Sequence, residues 1–140
     1  MAKKNAISLI GRIRDESNKL ILSELEKHGV TEIAPSHGGI FLALYRHHRL
    51  TMKELSEEIS RSKPTVTVLV NKLLKLGYIE KRKDSTDQRI SYITLTEKGE
   101  ALKPIFDEVS HTLNTLVYGN MSEDEQTRFE ETLNKILDRF

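Results

Sequence analysis

The chain has no cysteine, no long apolar run and no glycine-rich loop, and each absence removes a class of function. Without cysteine among its 140 residues it has neither disulfides nor a thiol switch nor a catalytic thiol. No stretch of about 18 apolar residues is available to span a bilayer. The start, Met1-Ala2-Lys3-Lys4, lacks the apolar segment and small-residue cleavage site of a secretory signal. Together these features predict a cytoplasmic address. The seven glycines fall mostly at helix ends, with no phosphate-cradling loop, no GxSxG elbow and no HExxH or HxxxH pair. The expectation is therefore a protein that is not an enzyme and carries no cofactor. Carboxylate pairs and Ser/His combinations occur by chance in a chain with 31% charged residues, so they carry no weight.

Net charge is also small, +1, which argues against a protein that coats nucleic acid non-specifically. The charge is unevenly placed, however. Residues 61–89 hold eight Lys/Arg against three Asp/Glu, whereas residues 100–140 hold four against nine. Such asymmetry predicts a nucleic-acid face in one segment and a different task for the tail.

The basic segment lies within residues 51–99, which are organised throughout. Thr51-Met52-Lys53-Glu54 has the form of a capping box, in which hydroxyl and carboxylate each satisfy an orphan backbone N–H. Leu50 and Leu55 sit at staple positions around it, and Met52, Leu55 and Ile59 give the helix a short apolar stripe ending near Ser60. Ser62 caps a second helix with Pro64 in its first turn, where a missing N–H costs little, and Gly77 stops it. Two helices joined this tightly form a helix-turn-helix.

Val66, Leu69, Val70, Leu73 and Leu76 share one face of the second helix at helical spacing, which predicts burial. Its other side carries Pro64, Val68, Asn71 and Lys75, flanked by Thr65, Thr67 and Lys72, with no carboxylate. An ordinary solvated helix mixes both charge signs. A face of Thr, Asn, Lys and one exposed Val suits a DNA major groove, where Asn pairs with adenine, Thr with a base or phosphate, Val with a thymine methyl and Lys with phosphates.

After Gly77 the period becomes alternating. Tyr78–Lys83 and Ile90–Leu95 read as strands, joined by the polar, turn-rich segment 84–89. A two-stranded ribbon after a helix-turn-helix is a wing. Arg89 at its base or tip can reach a narrow minor groove, with Asp87 holding it; the bland reading is an exposed ion pair of little energetic weight. The predicted DNA contacts are Ser62, Lys63, Thr65, Thr67, Val68, Asn71, Lys72, Lys75, Arg82, Asp87 and Arg89.

Gly77-Tyr78-Ile79, Arg82, Asp87-Gln88-Arg89 and Ile93-Thr94-Leu95-Thr96-Glu97-Lys98-Gly99 closely resemble the MarR family of winged-helix transcription regulators. Thr65-Val66-Thr67 with Leu69-Val70 is similar to the start of that family's recognition helix. The likeness extends over essentially the whole chain in length and helix order. It implies a homodimer on a pseudo-palindromic double-stranded DNA operator, more often a repressor than an activator. Arg89 matches the family's wing arginine and Asp87 its orienting aspartate. Val68 departs from the basic residue members often carry there, which removes a phosphate anchor. Many members release DNA when a small organic effector binds; the cysteine-based peroxide sensors among them are excluded here.

Helical periodicity continues on both sides of the module. Ala6, Ile10, Ile13, Leu20, Ile21 and Leu25 give a first helix one apolar side, ending around His28-Gly29. Pro35-Ser36 is a break, with Ser36 as the cap of a helix to about His48. Thr96 caps a helix running to about Tyr118, with a kink or new start expected at Pro104. Ser122 and Glu125 form another capping box for a last helix. The fold expected is mainly α with a small β-wing: residues 1–35 an N-terminal dimerisation helix, 36–99 the winged helix-turn-helix, and 100–140 C-terminal dimerisation helices. The terminal helices either cover the back of the module or interlock with a second copy.

The resemblance implies a ligand cavity between dimerisation helices and module, and Arg12, Glu16, His37, Phe41 and Tyr45 lie near that junction. The bland reading makes Phe41 and Tyr45, at i, i+4 spacing, core residues. Glu24 with His28, and Asp107 with His111, are one helical turn apart; with His37 and Glu108 they give a metal-responsive alternative, although no site can be assigned from the spacing. A further alternative is a winged helix used only for protein contacts, which would need neither an acid-free helix face nor a wing arginine.

Overall fold

The computed structural model describes residues 1–140 and places seven α-helices, a short 3-10 turn and three strands in one chain. Helix α1 (Ala6–Lys27) leads through the 3-10 turn Pro35–His37 into α2 (Gly38–His47). Strand β1 (Arg49–Leu50) precedes α3 (Met52–Ile59) and α4 (Lys63–Leu76). The ribbon β2 (Ile79–Lys83) and β3 (Ser91–Leu95) follows, then α5 (Glu97–Glu100), α6 (Lys103–Tyr118) and α7 (Glu123–Leu137). The fold is mainly α with a small β-wing, a winged helix-turn-helix between terminal helices. No helix is long and apolar enough to cross a membrane.

The element boundaries follow from local chemistry. Thr51 Oγ1 accepts the Glu54 N–H at 3.1 Å while Glu54 Oε1 accepts the Thr51 N–H at 2.9 Å, closing the capping box of α3. Ser122 and Glu125 repeat the box at α7, while Ser62 caps α4 by accepting the Thr65 N–H alone. Gly77 ends α4 at φ 82°, a left-handed conformation that glycine adopts without steric cost. Pro104 falls in the first turn of α6, so the helix expected from Thr96 to Tyr118 is two: the four-residue α5, then a new start.

Two expectations change. Ser36 does not cap α2: Ala34 is the N-cap of the 3-10 turn, with its N–H accepted by His37 Nδ1 at 3.0 Å, and α2 follows His37 without a side-chain cap. The sheet has three strands rather than two, in the order β1-β3-β2, all antiparallel. Leu50 pairs with Ile93 and thus stitches the helix-turn-helix to the wing.

The core gathers on the module. Ile40, Phe41, Leu44, Leu55, Val66, Val70, Leu73, Ile79 and Ile93 are buried, joined by Leu25 of α1, Leu102 just before α6, and Phe106 and Val109 of α6. The Phe41 ring stacks on Phe106 at 4.8 Å and meets Tyr78 edge-on at 5.7 Å, tying α2, α6 and the root of the wing together. Gly99 lies under this cluster: a Cβ there would stand 2.2 Å from the Tyr78 carbonyl oxygen, so no side chain fits.

Candidate nucleic-acid interface

Helix α4 is oriented by its buried side. Val66, Val70 and Leu73 anchor it in the core, so Thr65, Val68, Asn71, Lys72 and Lys75 are exposed on the other side. Ser62 Oγ donates to Thr65 Oγ1 at 2.9 Å, and Thr67 Oγ1 donates to the Lys63 carbonyl at 2.9 Å. Part of the hydroxyl chemistry of this face is therefore already spent within the helix.

Between α3, α4 and the ribbon lies a cleft of about 580 Å³. It is lined by Thr51, Met52 and Lys53 at the start of α3, Lys63, Val66, Thr67 and Asn71 of α4, and Lys81, Arg89, Ile90 and Ser91 of the wing. Four cations and no carboxylate face this space, which makes it a basic wall beside an acid-free helix.

The wing tip is ordered by two aspartates. Asp84 Oδ2 accepts from Thr86 Oγ1 at 2.7 Å and from the backbone N–H groups of Asp87 at 2.9 Å and Thr86 at 3.1 Å. Those bonds, the Thr86 hydroxyl first, hold the Asp84 carboxyl below its usual range. Asp87 receives Arg89 as a fork, Nε on Oδ1 and Nη2 on Oδ2, each at 3.0 Å. The guanidinium, and then the Arg89 N–H, pull the Asp87 carboxyl down. The Arg89 side chain remains 91% exposed, so one edge is fixed and the other is free to bind.

The structure separates the predicted contacts into groups. Lys63, Thr67, Asn71 and Arg89 line the cleft; Thr65, Val68, Lys72 and Lys75 extend the surface of α4; Ser62 and Asp87 position their neighbours. Arg82 stands apart from these groups. It lies across from Tyr92 on the other face of the ribbon, where its Nε donates to Glu80 Oε1 at 2.7 Å. Lys81, absent from the sequence reading, occupies the cleft instead. Ile79 and Ile93 are buried, and period-two alternation from Ile79 puts Lys81 on their side. That phase was the available signal. Thr51, Lys53 and Ser91 were also missed, because they enter only through the meeting of α3 with the wing.

The expected ligand residues do not form one site. Arg12 and Glu16 line a groove of about 1070 Å³ shared by α1, α6 and α7, with Leu9, Ile13, Leu113, Leu116 and Phe129. Phe41 is fully buried, and Tyr45 donates its hydroxyl to the Gly99 carbonyl at 2.8 Å. Burial, with the charges of Glu100 and Asp107, pushes the Tyr45 hydroxyl pKa far up. His37 is spent on Ala34, and burial, then the charge of Lys72, pulls its imidazole pKa below the ordinary value. These three are core and cap residues. Of the metal candidates, His28 Nε2 meets Glu108 Oε2 at 3.4 Å, while Lys27 engages Glu24 and Lys103 engages Asp107, each at 3.0 Å. No three His, Cys, Asp or Glu residues converge.

Residues 28–90 match the model of the MarR family, a span covering the module from the end of α1 to the wing. The transcriptional repressor MprA of Escherichia coli strain K12 is 28% identical over 134 residues, covering 91% of this chain and 70% of that protein. A solved structure of a mutant E. coli MarR complexed with operator DNA superposes with a TM-score of 0.78 at 21% identity, covering 98% of this chain and 99% of that one. Bordetella bronchiseptica BpsR, whose DNA binding is regulated by 6-hydroxynicotinic acid, gives 0.77 at 15% identity, covering 95% of this chain and 98% of that one. The chain is similar to the MarR family of winged-helix regulators, whose model matches the segment from the end of α1 to the wing.

Proposed function

We propose that the protein is a homodimeric transcription regulator that binds a pseudo-palindromic operator and represses, acting by binding rather than catalysis, in the cytoplasm. The observation that carries this reading is the pairing of an acid-free α4 face with a wing arginine clamped by Asp87 across a cationic cleft. A helix of this composition enters a major groove, and a partly pre-organised guanidinium suits the narrow minor groove beside it. A winged helix used only for protein contacts would need neither. The operator held by E. coli MarR and the repressor name of MprA favour the same reading.

The homodimer is supported by the terminal helices. Ile7, Leu9, Ile10 and Ile13 of α1, Leu116 of α6, and Phe129, Leu133 and Leu137 of α7 are all exposed. Leu9, Ile13, Leu116 and Phe129 line one groove, and apolar side chains left exposed on three helices are a place for a second copy. Residues 1–35 and 100–140 then form the dimerisation part and residues 36–99 the reader. Such a part sets two recognition helices about one DNA turn, roughly 34 Å, apart. A small organic effector acts by binding unequally to two dimer shapes; the groove holding Arg12 and Glu16 and the regulation of BpsR support this.

The test is binding of the purified protein to fragments of its own upstream intergenic DNA and to shuffled DNA across a salt series. Selective binding that weakens steeply with salt is expected. Equal, weak binding to both DNAs at every salt concentration would overturn the reading.

A further inference from the structure

On the exposed side of α4, Val68 is 69% exposed, in the middle of the surface a major groove would meet. Pro64 lies one turn before it and Asn71 and Lys72 one turn after, all exposed. The hydroxyls nearby are partly occupied: Thr67 Oγ1 donates to the Lys63 carbonyl, and Thr65 Oγ1 accepts from Ser62. Thr67 thus has no donor left for a phosphate and offers a ligand its methyl group and acceptor lone pairs. The centre of this face is thus apolar, with the Asn71 amide as its neighbouring polar group. An exposed Val gains nothing from water, and a lysine here would have served general phosphate attraction.

A major groove offers one apolar feature on its base edges, the C5 methyl of thymine, while adenine offers the N7 and N6 pair that an amide reads with two hydrogen bonds. Val68 and Asn71 are neighbours on one helix face, so the two features they fit lie on the same or adjacent base pairs. We propose that Val68 is a specificity-determining residue that reads a thymine methyl in each half-site, with Asn71 on the adenine beside it. This inference rests on the DNA-binding reading above and names the chemistry which that same surface selects. A uracil duplex keeps every hydrogen-bonding group and lacks only the methyl, which makes it the matching probe.

The experiment selects binding sites for the full-length protein from a randomised duplex library. The recovered site is then remade with uracil in place of each thymine in turn. One buried methyl corresponds to about 0.8 kcal/mol, about fourfold in affinity for one half-site and about fifteenfold for both. The expected result is a loss of that size at one thymine per half-site, shrinking to nearly nothing in Val68→Ala. Alanine is a better helix former than valine, and circular dichroism checks that the variant is folded. Equal affinity for thymine and uracil sites would overturn the proposal while leaving the DNA-binding reading intact. So would a uracil loss that is undiminished in Val68→Ala. Recovery of no preferred sequence would overturn both.

Discussion

The module and the terminal helices treat their apolar residues in opposite ways. Around Phe41 every large side chain finds partners within the chain: Phe106, Tyr78, Leu44 and Ile40 are all buried. Along the first half of α1 and the whole of α7 no residue is buried, although both helices carry regular apolar stripes. Composition does not separate the two regions; topology does. The module brings three strands and three helices over one core, whereas α1 and α7 share a groove that the chain leaves open. One region is complete within a single chain, and the other leaves its apolar stripes exposed, where the proposed second copy would pack.

The largest break in this contrast comes from the module. Phe41→Ala removes a ring at the junction of α2, α6 and the wing and should cost about 4 kcal/mol, read as a lower denaturant midpoint. The complementary change, Leu116→Asp with Leu137→Asp, alters residues that are each 68% exposed. It should leave the helical content of the chain intact and raise the dimer dissociation constant at least about a hundredfold, because two charges must lose water at the interface. Sedimentation at several concentrations separates the outcomes. A fully dimeric double variant would return α1 and α7 to a role within one chain.

A finer comparison lies within the wing. Lys81→Ala should weaken DNA binding about threefold to tenfold and reduce the salt dependence, as expected for one lost phosphate contact. Arg82→Ala, with its partner Glu80 on the far face, should change affinity less than about twofold. Equal losses in a filter-binding titration would mean that the ribbon twists on DNA.

The smallest effect expected is one of pH. Because burial and Lys72 depress the His37 pKa, the folded chain binds that proton less readily than the unfolded chain. The contribution is therefore complete above the ordinary value of 6.5 and is lost as pH falls from there through the folded value. Thermal midpoints should decline over that window in the native protein, and less so in His37→Gln, where an amide oxygen can still accept the Ala34 N–H. Parallel declines would assign the sensitivity to other groups.

What could be read in advance was local. Thr51, Ser62, Thr96 and Ser122 cap the helices their positions announce, because a cap depends on residues within one turn. The Asp87–Arg89 fork was legible for the same reason, a separation of two residues. Strand β1 was not, since two residues give no alternation and its partners Ile93 and Thr94 lie more than forty positions away. Which of Lys81 and Arg82 lines the cleft was not legible because a basic run hides its own alternation; only the burial of Ile79 and Ile93 sets which of them faces the helix. Phe41, Tyr45 and His37 look alike in sequence as core or pocket residues, and only Phe106, Gly99 and Ala34 decide between the two.

The most direct test of the central claim is the salt dependence of operator binding in the native protein beside Arg89→Ala. The account predicts an affinity loss of at least about tenfold and a slope of log affinity against log salt that is shallower by about one per protomer, with helical content and dimerisation unchanged. An Arg89→Ala protein that binds the same site with unaltered affinity and slope would contradict the wing's part in reading DNA.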